Sequence, residues 1–148
     1  MMRVEHAERG SALVEMTLIA PLLLILLLGL IEAGKVGDYA IRVANAARAG
    51  VQYGAQNEAT AGDTQGMQNA ATADAEYAGI TAVAAPTYCA CADGTVSTCQ
   101  QGDCATTHRL QWVEVTASGT YTGLNSPFVP APLRSLTISQ TAVMRVAQ

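Results

Sequence analysis

The first third of the chain follows one helical pattern, and its opening part is almost entirely apolar. The longest apolar stretch runs from Ser11 to Ile31 and is interrupted only by Glu15. At a rise of about 1.5 Å per residue, a helix of this length crosses the roughly 30 Å hydrocarbon core of a bilayer. A domain in so short a chain rarely buries a Leu-rich helix on every side, so a membrane span is favoured over a buried core helix. A secretory signal peptide is the next alternative, but the helical pattern continues through the end of the run, so cleavage there is not expected.

Beyond Glu32 the helical pattern continues to about Gly54, with small residues on one side and polar residues on the other. On the polar side, Asp38 and Arg42 have the spacing of an i,i+4 ion pair. A face of Ala and Gly buries little area but lets two backbones approach closely. Two uses of this face stay open: packing against the chain's own domain after Arg42, and packing between subunits, which applies best to Gly29–Ala44.

The remaining chain predicts a small domain of the α+β class. Residues 55–63 are polar and are interpreted as a loop. The later patterns predict an Ala-rich second helix over Thr64–Ala78 and a proline-rich connector over Ser126–Pro132. They also predict three strands, over Ile80–Ala85, Leu110–Thr116 and Leu136–Val146. This order favours a small antiparallel sheet packed against the long helix, with a cysteine loop between the first two strands.

Four cysteines lie close together in this domain, at Cys89, Cys91, Cys99 and Cys104. Their position beyond an apolar anchor favours an oxidising compartment and two disulfides. A structural zinc site is the alternative, although a Cys-x-Cys pair fits the usual zinc spacing poorly. If Asp93-Gly94 starts a hairpin turn, the hypothesis is a nested pairing of Cys89 with Cys104 and of Cys91 with Cys99.

Composition and charge exclude several classes of function. The net charge is −4 and no Lys/Arg-rich run is present, so the chain lacks the basic footprint that nucleic-acid binding requires. No nucleophile motif, His-centred constellation, phosphate-binding Gly loop or pair of carboxylates at a helical spacing is found, so no catalytic residue or cofactor is predicted. With disulfides favoured over zinc at the four cysteines, no metal is predicted either. The sequence therefore favours a structural or binding role.

The carboxylate of Glu15 is the least expected group of the apolar stretch, since it costs about 2.5 kcal/mol or more near a helix centre. One interpretation places it at the membrane interface. In the other, a cut between Gly10 and Ser11 creates an α-amine four residues before Glu15, and amine and carboxylate neutralise each other between neighbouring helices. Arg3 and Arg9 on the short side weakly favour a cytoplasmic N-terminus.

These residues carry a resemblance to a known family. Gly10, followed by Glu15 and a long apolar helix, resembles the processing site of type IV prepilins. More closely, ERGSALVEMTLIAPLLLILLLGLIEAG is similar to the N-terminus of TadE-like pseudopilins of the tight-adherence (Tad) pilus system. Met16 stands where the family often has an aromatic residue. Further resemblance lies in Ala44–Val51, in VEVTASGTYTG and in the final Met144-Arg145 pair.

The resemblance implies a domain organisation and a set of partners. It implies cleavage after Gly10 by a prepilin peptidase and association with other pilin subunits, the inner-membrane assembly machinery and the lipid bilayer. The chain would be a single-pass bacterial inner-membrane protein with an exported C-terminal domain, reaching the pilus or cell surface after assembly. The expected parts are a cleaved leader (residues 1–10), a transmembrane assembly helix (11–31) and a helix extension (32–54). An exported domain (55–148) follows and contains the cysteine loop (89–104).

Four residues of the helix are expected to matter for assembly besides Glu15. Pro21 removes a backbone donor and is expected to kink the membrane helix. Gly29, Gly34 and Gly37 each lower helix propensity by about 1 kcal/mol relative to Ala, which would let the helix bend or partly unwind. A membrane-tethered periplasmic or surface binding module that acts through its disulfide loop is the alternative function.

Overall fold

The computed structural model of the chain describes residues 5–75, 79–100, 102–123 and 134–147. They belong to two compact units, Met1–Gly37 and Asp38–Gln148, which are here called the anchor unit and the exported unit after the parts expected from the sequence. The long helix α1, Glu5–Gly54, contributes to both and ends at the predicted residue. It continues through Pro21, whose missing N–H cannot donate to the carbonyl one turn earlier.

In the anchor unit the apolar surface of α1 is uncovered. Fourteen large apolar side chains between Leu13 and Ile31 are each 47% to 73% exposed. Within the part of the chain that the structure describes, α1 is the one helix long and apolar enough to cross a membrane, and its apolar window is not buried at all. If α1 were a buried core helix, which was the alternative considered from the sequence, these apolar side chains would be inaccessible to solvent.

Two shorter helices follow α1 in the exported unit. Helix α2, Glu58–Gly62, lies within the segment predicted as a loop, and that prediction was wrong. The reason is a capping box: the Asn57 side chain accepts the backbone N–H of Thr60, whose hydroxyl accepts the N–H of Asn57. Helix α3, Thr64–Ala75, begins at the predicted residue, and the predicted end at Ala78 lies outside the described residues.

The sheet is antiparallel and is organised around one long strand. Its strands are β1 (Ile80–Ala84), β2 (Tyr88–Cys91), β3 (Val96–Ser97), β4 (Arg109–Tyr121) and β5 (Leu136–Arg145). Strand β5 pairs with one side of β4 over its whole length, β1 and β2 share the other side, and β3 pairs with β2. This confirms the α+β prediction. The proline-rich connector predicted before β5 lies outside the described residues.

The core of the exported unit lies between one sheet face and the helices α1 and α3. Alternate residues of β4 point into it and are fully buried, while most of the intervening ones are half-buried on the opposite face. The largest fully buried side chains are Met67, Val43, Val51, Val113, Val115 and Val146. Most of the other buried residues are alanines, so the core has a modest volume and the elements around it must pack closely to fill it.

Two glycines of α1 allow this close packing. A Cβ at Gly50 would lie 3.0 Å from the backbone oxygen of Met67, and one at Gly54 would clash with the Met67 Sδ. Buried positions of α1 begin at Tyr39, which is 6% exposed. After Arg42, the small-residue face of the helix therefore packs on the chain's own domain, which was one of the two uses left open.

Candidate assembly helix and disulfide loop

The predicted cleavage position lies near the start of α1. Gly10 and Ser11 are both in helical backbone, and Glu15 follows Ser11 by four residues, which is about one helical turn. Positions i and i+4 lie on the same face of a helix, so an α-amine at Ser11 would face the side that carries Glu15. The Glu15 side chain is exposed, and no hydrogen bond or ion pair joins it to another residue of the described ranges.

The other predicted assembly residues are not buried by the rest of the described chain. Pro21 is exposed, and a Cβ added to Gly29, Gly34 or Gly37 would meet no heavy atom within 4 Å. Gly50 is the opposite case, since the fold itself requires its missing side chain. The packing of the described residues in a single copy therefore does not explain Gly29, Gly34 and Gly37.

Exposed ion pairs mark the polar side of α1 beyond the apolar stretch. Lys35 Nζ lies 2.9 Å from Glu32 Oε1, and Arg42 Nε lies 2.9 Å from Asp38 Oδ2. The second pair confirms the predicted i,i+4 spacing. Exposed pairs of this kind contribute only about 0.3–0.5 kcal/mol each, so they solubilise this part of the helix more than they stabilise it.

All four cysteines form disulfides, but the nested pairing was wrong. The bonds join Cys89 to Cys99 and Cys91 to Cys104. The hairpin turn at Asp93-Gly94 does form, and its register places Cys89 opposite Ser97, two residues before Cys99. The chain then reverses at Cys99, which has a φ of 67°, so the Cys99 thiol reaches Cys89. A Cys91–Cys99 bond would have required Cys99 to return to the tip of the hairpin.

Asp103 ties together the segment between the disulfides. One of its carboxylate oxygens, Oδ2, accepts hydrogen bonds from the Thr98 backbone N–H at 2.7 Å, from the Thr98 hydroxyl at 2.7 Å and from the Ser97 hydroxyl at 3.0 Å. These donors favour the charged form and lower the pKa of Asp103 below its ordinary value of 3.8. The loop is therefore held by an ionised carboxylate as well as by covalent bonds.

The lowered pKa predicts acid sensitivity of the loop. A carboxyl whose folded-state pKa is lowered stabilises the fold at neutral pH, and that stability is lost as the pH falls from about 5 to 2. Asp103→Asn should therefore flatten the fall in thermal midpoint over this range, measured on the oxidised full chain. Asp63 and Asp93, whose pKa values are also lowered by hydrogen bonds, should account for the fall in thermal midpoint that remains in this variant.

The matched control for this prediction is Asp74→Asn, the same change on the exposed side of α3. It should leave the acid profile as it is in the unmodified chain. Equal profiles for the two variants would mean that Asp103 does not hold the loop.

A pocket of about 620 Å³ with a mixed polar and apolar lining lies beside the disulfide loop. Arg109 crosses it, donating to the Cys99 carbonyl and approaching Glu58 Oε1 at 3.4 Å. The Thr107 hydroxyl oxygen is buried and has no hydrogen-bond partner among the described residues. The lining is Glu58, Gln100, Gly102, Cys104, Thr107, Arg109 and Ala147. The sequence did not predict this pocket, because Glu58 and Ala147 reach it only through the fold.

Metal binding is not supported by the side chains of this loop. All four thiols are consumed in disulfides, and the described ranges contain no cluster of His, Cys, Asp or Glu suited to a metal ion. The loop is therefore a covalently closed surface feature rather than a zinc module.

Comparison with known proteins identifies the N-terminal part of the chain. Residues 10–52 match the model of the family described as TadE-like protein. The matched range begins at Gly10, contains Glu15 and nearly all of α1 that follows, and excludes the sheet and the disulfide loop. Neither the curated proteins nor the solved structures contain a match. The helical segment 10–52 thus resembles that of TadE-like proteins, the pilin-like family associated with Tad pili.

Proposed function

We propose that this chain is a structural subunit that a prepilin peptidase cuts after Gly10 and that assembles through α1 into, or at the tip of, a Tad-type pilus for adhesion or secretion. The observation that carries the proposal is an anchor helix on which none of the described apolar side chains is buried, and whose apolar stretch Ser11–Ile31 contains one acid, Glu15, near the proposed new terminus. The role is structural rather than enzymatic.

The uncovered apolar surface requires an environment outside the chain. Full burial of a large apolar side chain is worth about 1.5–3 kcal/mol, and fourteen such side chains are exposed on the anchor unit. Their sum far exceeds the cost of about 2.5 kcal/mol or more for one carboxylate, so Glu15 does not prevent insertion into a bilayer. A subunit that leaves the bilayer must cover the same surface again, and the helices of neighbouring subunits supply apolar partners for it.

Glu15 determines the relative height at which the helices of neighbouring subunits pack. In a low-dielectric bundle, a carboxylate without a partner costs several kcal/mol, whereas one that meets an α-amine in good geometry recovers most of that cost. Cleavage after Gly10 would supply the amine at Ser11, one turn from Glu15. A neighbouring subunit whose amine meets Glu15 is therefore favoured over the same helix at any other height.

The topology proposed here is a single pass through the bacterial inner membrane, with the leader in the cytoplasm and the exported unit outside. The two disulfides support it, because they belong in an oxidising compartment. The prepilin peptidase and the inner-membrane assembly machinery then meet α1, while the sheet and the loop face outwards.

A second candidate function is that of a tethered binding module acting through the disulfide loop. The pocket between α2, the loop and the start of β4 favours it. Its volume lies in the range of small-molecule sites, and its lining offers a guanidinium, a carboxylate, an amide and a hydroxyl for a polar ligand. In this case α1 would serve only as an anchor.

The experiment that tests the leading proposal is the N-terminal sequence of the mature protein from cells. The expected mature chain begins at Ser11, with the α-amine four residues before Glu15. A mature chain that still begins at Met1 or Met2 would remove the amine partner of Glu15 and with it the pilin-type assembly.

A further inference from the structure

Strand β5 leaves one long edge of the sheet without a partner strand among the described residues. All ten of its residues, Leu136–Arg145, pair with β4 in an uninterrupted register. β5 pairs with no other described strand. The opposite side of β5 is therefore an edge that runs along the full length of the strand, with a rise of about 3.4 Å per residue.

The hydrogen-bond pattern shows which backbone groups this edge presents. The Val146 N–H donates to the Gln111 carbonyl directly opposite at 2.8 Å, and the same register holds along the strand. In an antiparallel ladder, alternate residues turn their N–H and C=O to the same neighbour. The even-numbered residues therefore bond β4, and the odd-numbered residues present donors and acceptors to the open edge: Thr137, Ser139, Thr141, Val143 and Arg145.

This edge lacks the features that usually prevent pairing. Open edges are normally protected by Pro, by bulges or by charges, especially Lys. The sequence LTISQTAVMR has no Pro, no Gly, no bulge and a single charge at its last residue. An edge of this length and composition is a template for another strand.

The sheet face next to this edge is also incompletely covered. The even-numbered side chains of β5 lie on the core face, where Val146 is 1% exposed and Ile138 and Ala142 pack against the core. The same face carries Leu136 at 45% and Met144 at 36% exposure, near the two ends of the strand. The helices that cover β4 thus leave two large apolar side chains at the edge in contact with solvent.

From these observations we infer that the exported units of two copies associate through antiparallel pairing of β5 with β5, which joins two sheets across a two-fold axis at Gln140. Only registers that place odd-numbered residues opposite odd-numbered ones use the free backbone groups. With the axis at Gln140, Ser139 bonds the second copy's Thr141, and Thr137 bonds the second copy's Val143.

The choice of a second copy rests on self-complementarity about Gln140. This register places Leu136 beside the second copy's Met144, and it does so twice, so both uncovered apolar side chains are paired. Ile138 lies beside the second copy's Ala142, and the two Gln140 amides meet at the axis. Each Arg145 lies at an end of the paired stretch, so no like charges face each other. This association concerns the exported unit and does not depend on the proposed cleavage or on pilus assembly.

Cysteine crosslinking tests both the pairing and its register. In the full chain in lipid nanodiscs that hold two copies, Gln140→Cys should form a covalent dimer under mild oxidation, because residues directly opposite in a ladder lie within disulfide reach. Thr141→Cys is the register control, and Thr81→Cys on β1 is the control for random collision. Peptide mapping should find the four native cysteines in their original bonds. A stronger crosslink at Thr141 would overturn the stated register, and a Gln140 crosslink no stronger than that of Thr81 would overturn the pairing.

A proline variant separates edge pairing from folding. The Ser139 N–H faces the open edge, so Ser139→Pro in the Gln140→Cys background removes a donor that β4 does not use. It should reduce the crosslinked dimer by about tenfold or more, since two bonds are lost in each symmetric dimer. Ser139→Ala keeps the N–H and should crosslink as before. Equal thermal midpoints of the two variants verify that the fold is intact, and undiminished crosslinking of a folded Ser139→Pro chain would contradict the inference.

Discussion

Gly10→Ala is expected to leave the leader attached to almost all of the protein, because the added methyl group obstructs the enzyme at the bond to be cut and the variant also strengthens the helix there. Peptidases act on locally extended backbone, whereas Gly10 and Ser11 lie within α1. Gly is about 1 kcal/mol less favourable than Ala in a helix, so Gly10 is where local unwinding is least costly. It also leaves room for a close approach of the enzyme. Immunoblots of whole cells should show only the longer, unprocessed form.

The control for this prediction is Gly29→Ala, which makes the same chemical change in the same helix. A Cβ at Gly29 meets nothing within 4 Å, so the helix gains the same propensity away from the cut. Its leader should be removed as in the unmodified chain. Normal processing of Gly10→Ala would show that the peptidase does not read this glycine.

Glu15→Ala tests the next step and should separate cleavage from assembly. The substitution leaves Gly10 and Ser11 unchanged, so the leader should still be removed. The Ser11 amine then has no carboxylate to meet in the bundle. The preference of several kcal/mol for one relative height of neighbouring helices is lost. We expect a processed subunit that stays in the membrane fraction and is missing from sheared pili. Normal incorporation of the variant would contradict the assembly role of Glu15.

Replacing residues 11–31 with an unrelated membrane span distinguishes the two candidate functions. A pilin-type subunit should lose incorporation completely, because its packing surface and Glu15 are gone. A tethered binding module should keep its activity, because the pocket beside the disulfide loop is unchanged.

Met67→Ala should produce the largest loss of stability in the exported unit. Met67 is fully buried in the core cluster that includes Val51, Val113 and Val115, and it fills the space left by Gly54. Removal of a buried Met side chain costs about 2–5 kcal/mol when the cavity cannot collapse. A small domain has only about 5–15 kcal/mol in total, so much of its stability would be lost. Trp112, the only tryptophan of the chain, reports unfolding of this unit in denaturant titrations.

Two variants control for the change of residue. Met67→Leu nearly conserves the volume and should cost less than about 1.5 kcal/mol. Met144→Ala makes the same truncation at a side chain that is 36% exposed, and should shift the free energy of unfolding much less. Similar losses for Met67→Ala and Met144→Ala would mean that the core is not organised around Met67.

Local patterns account for the elements that were predicted correctly. The end of α1 at Gly54, the start of α3 at Thr64 and the position of β5 follow from hydrophobic periodicity, which depends on neighbouring residues alone. Helix α2 was missed because five residues carry too little periodicity, although the Asn57-x-x-Thr60 cap was a readable signal. Strands β2 and β3 were not predicted, because they are short and lie inside the cysteine loop.

The sequence by itself determined that this protein has an apolar anchor with one acid, a candidate cut before Ser11, and enough cysteines for two disulfides, because each of these is a property of residue type and local spacing. Only the tertiary structure decided which cysteines pair, which glycines serve the protein's own core, where the pocket lies and which side of β5 has no partner among the described strands. Those properties join residues that are far apart in sequence, such as Gly54 with Met67 or Glu58 with Arg109, and depend on the path of the chain between them. The register of β4 with β5 is the clearest case, since it alone selects the backbone groups that face outwards.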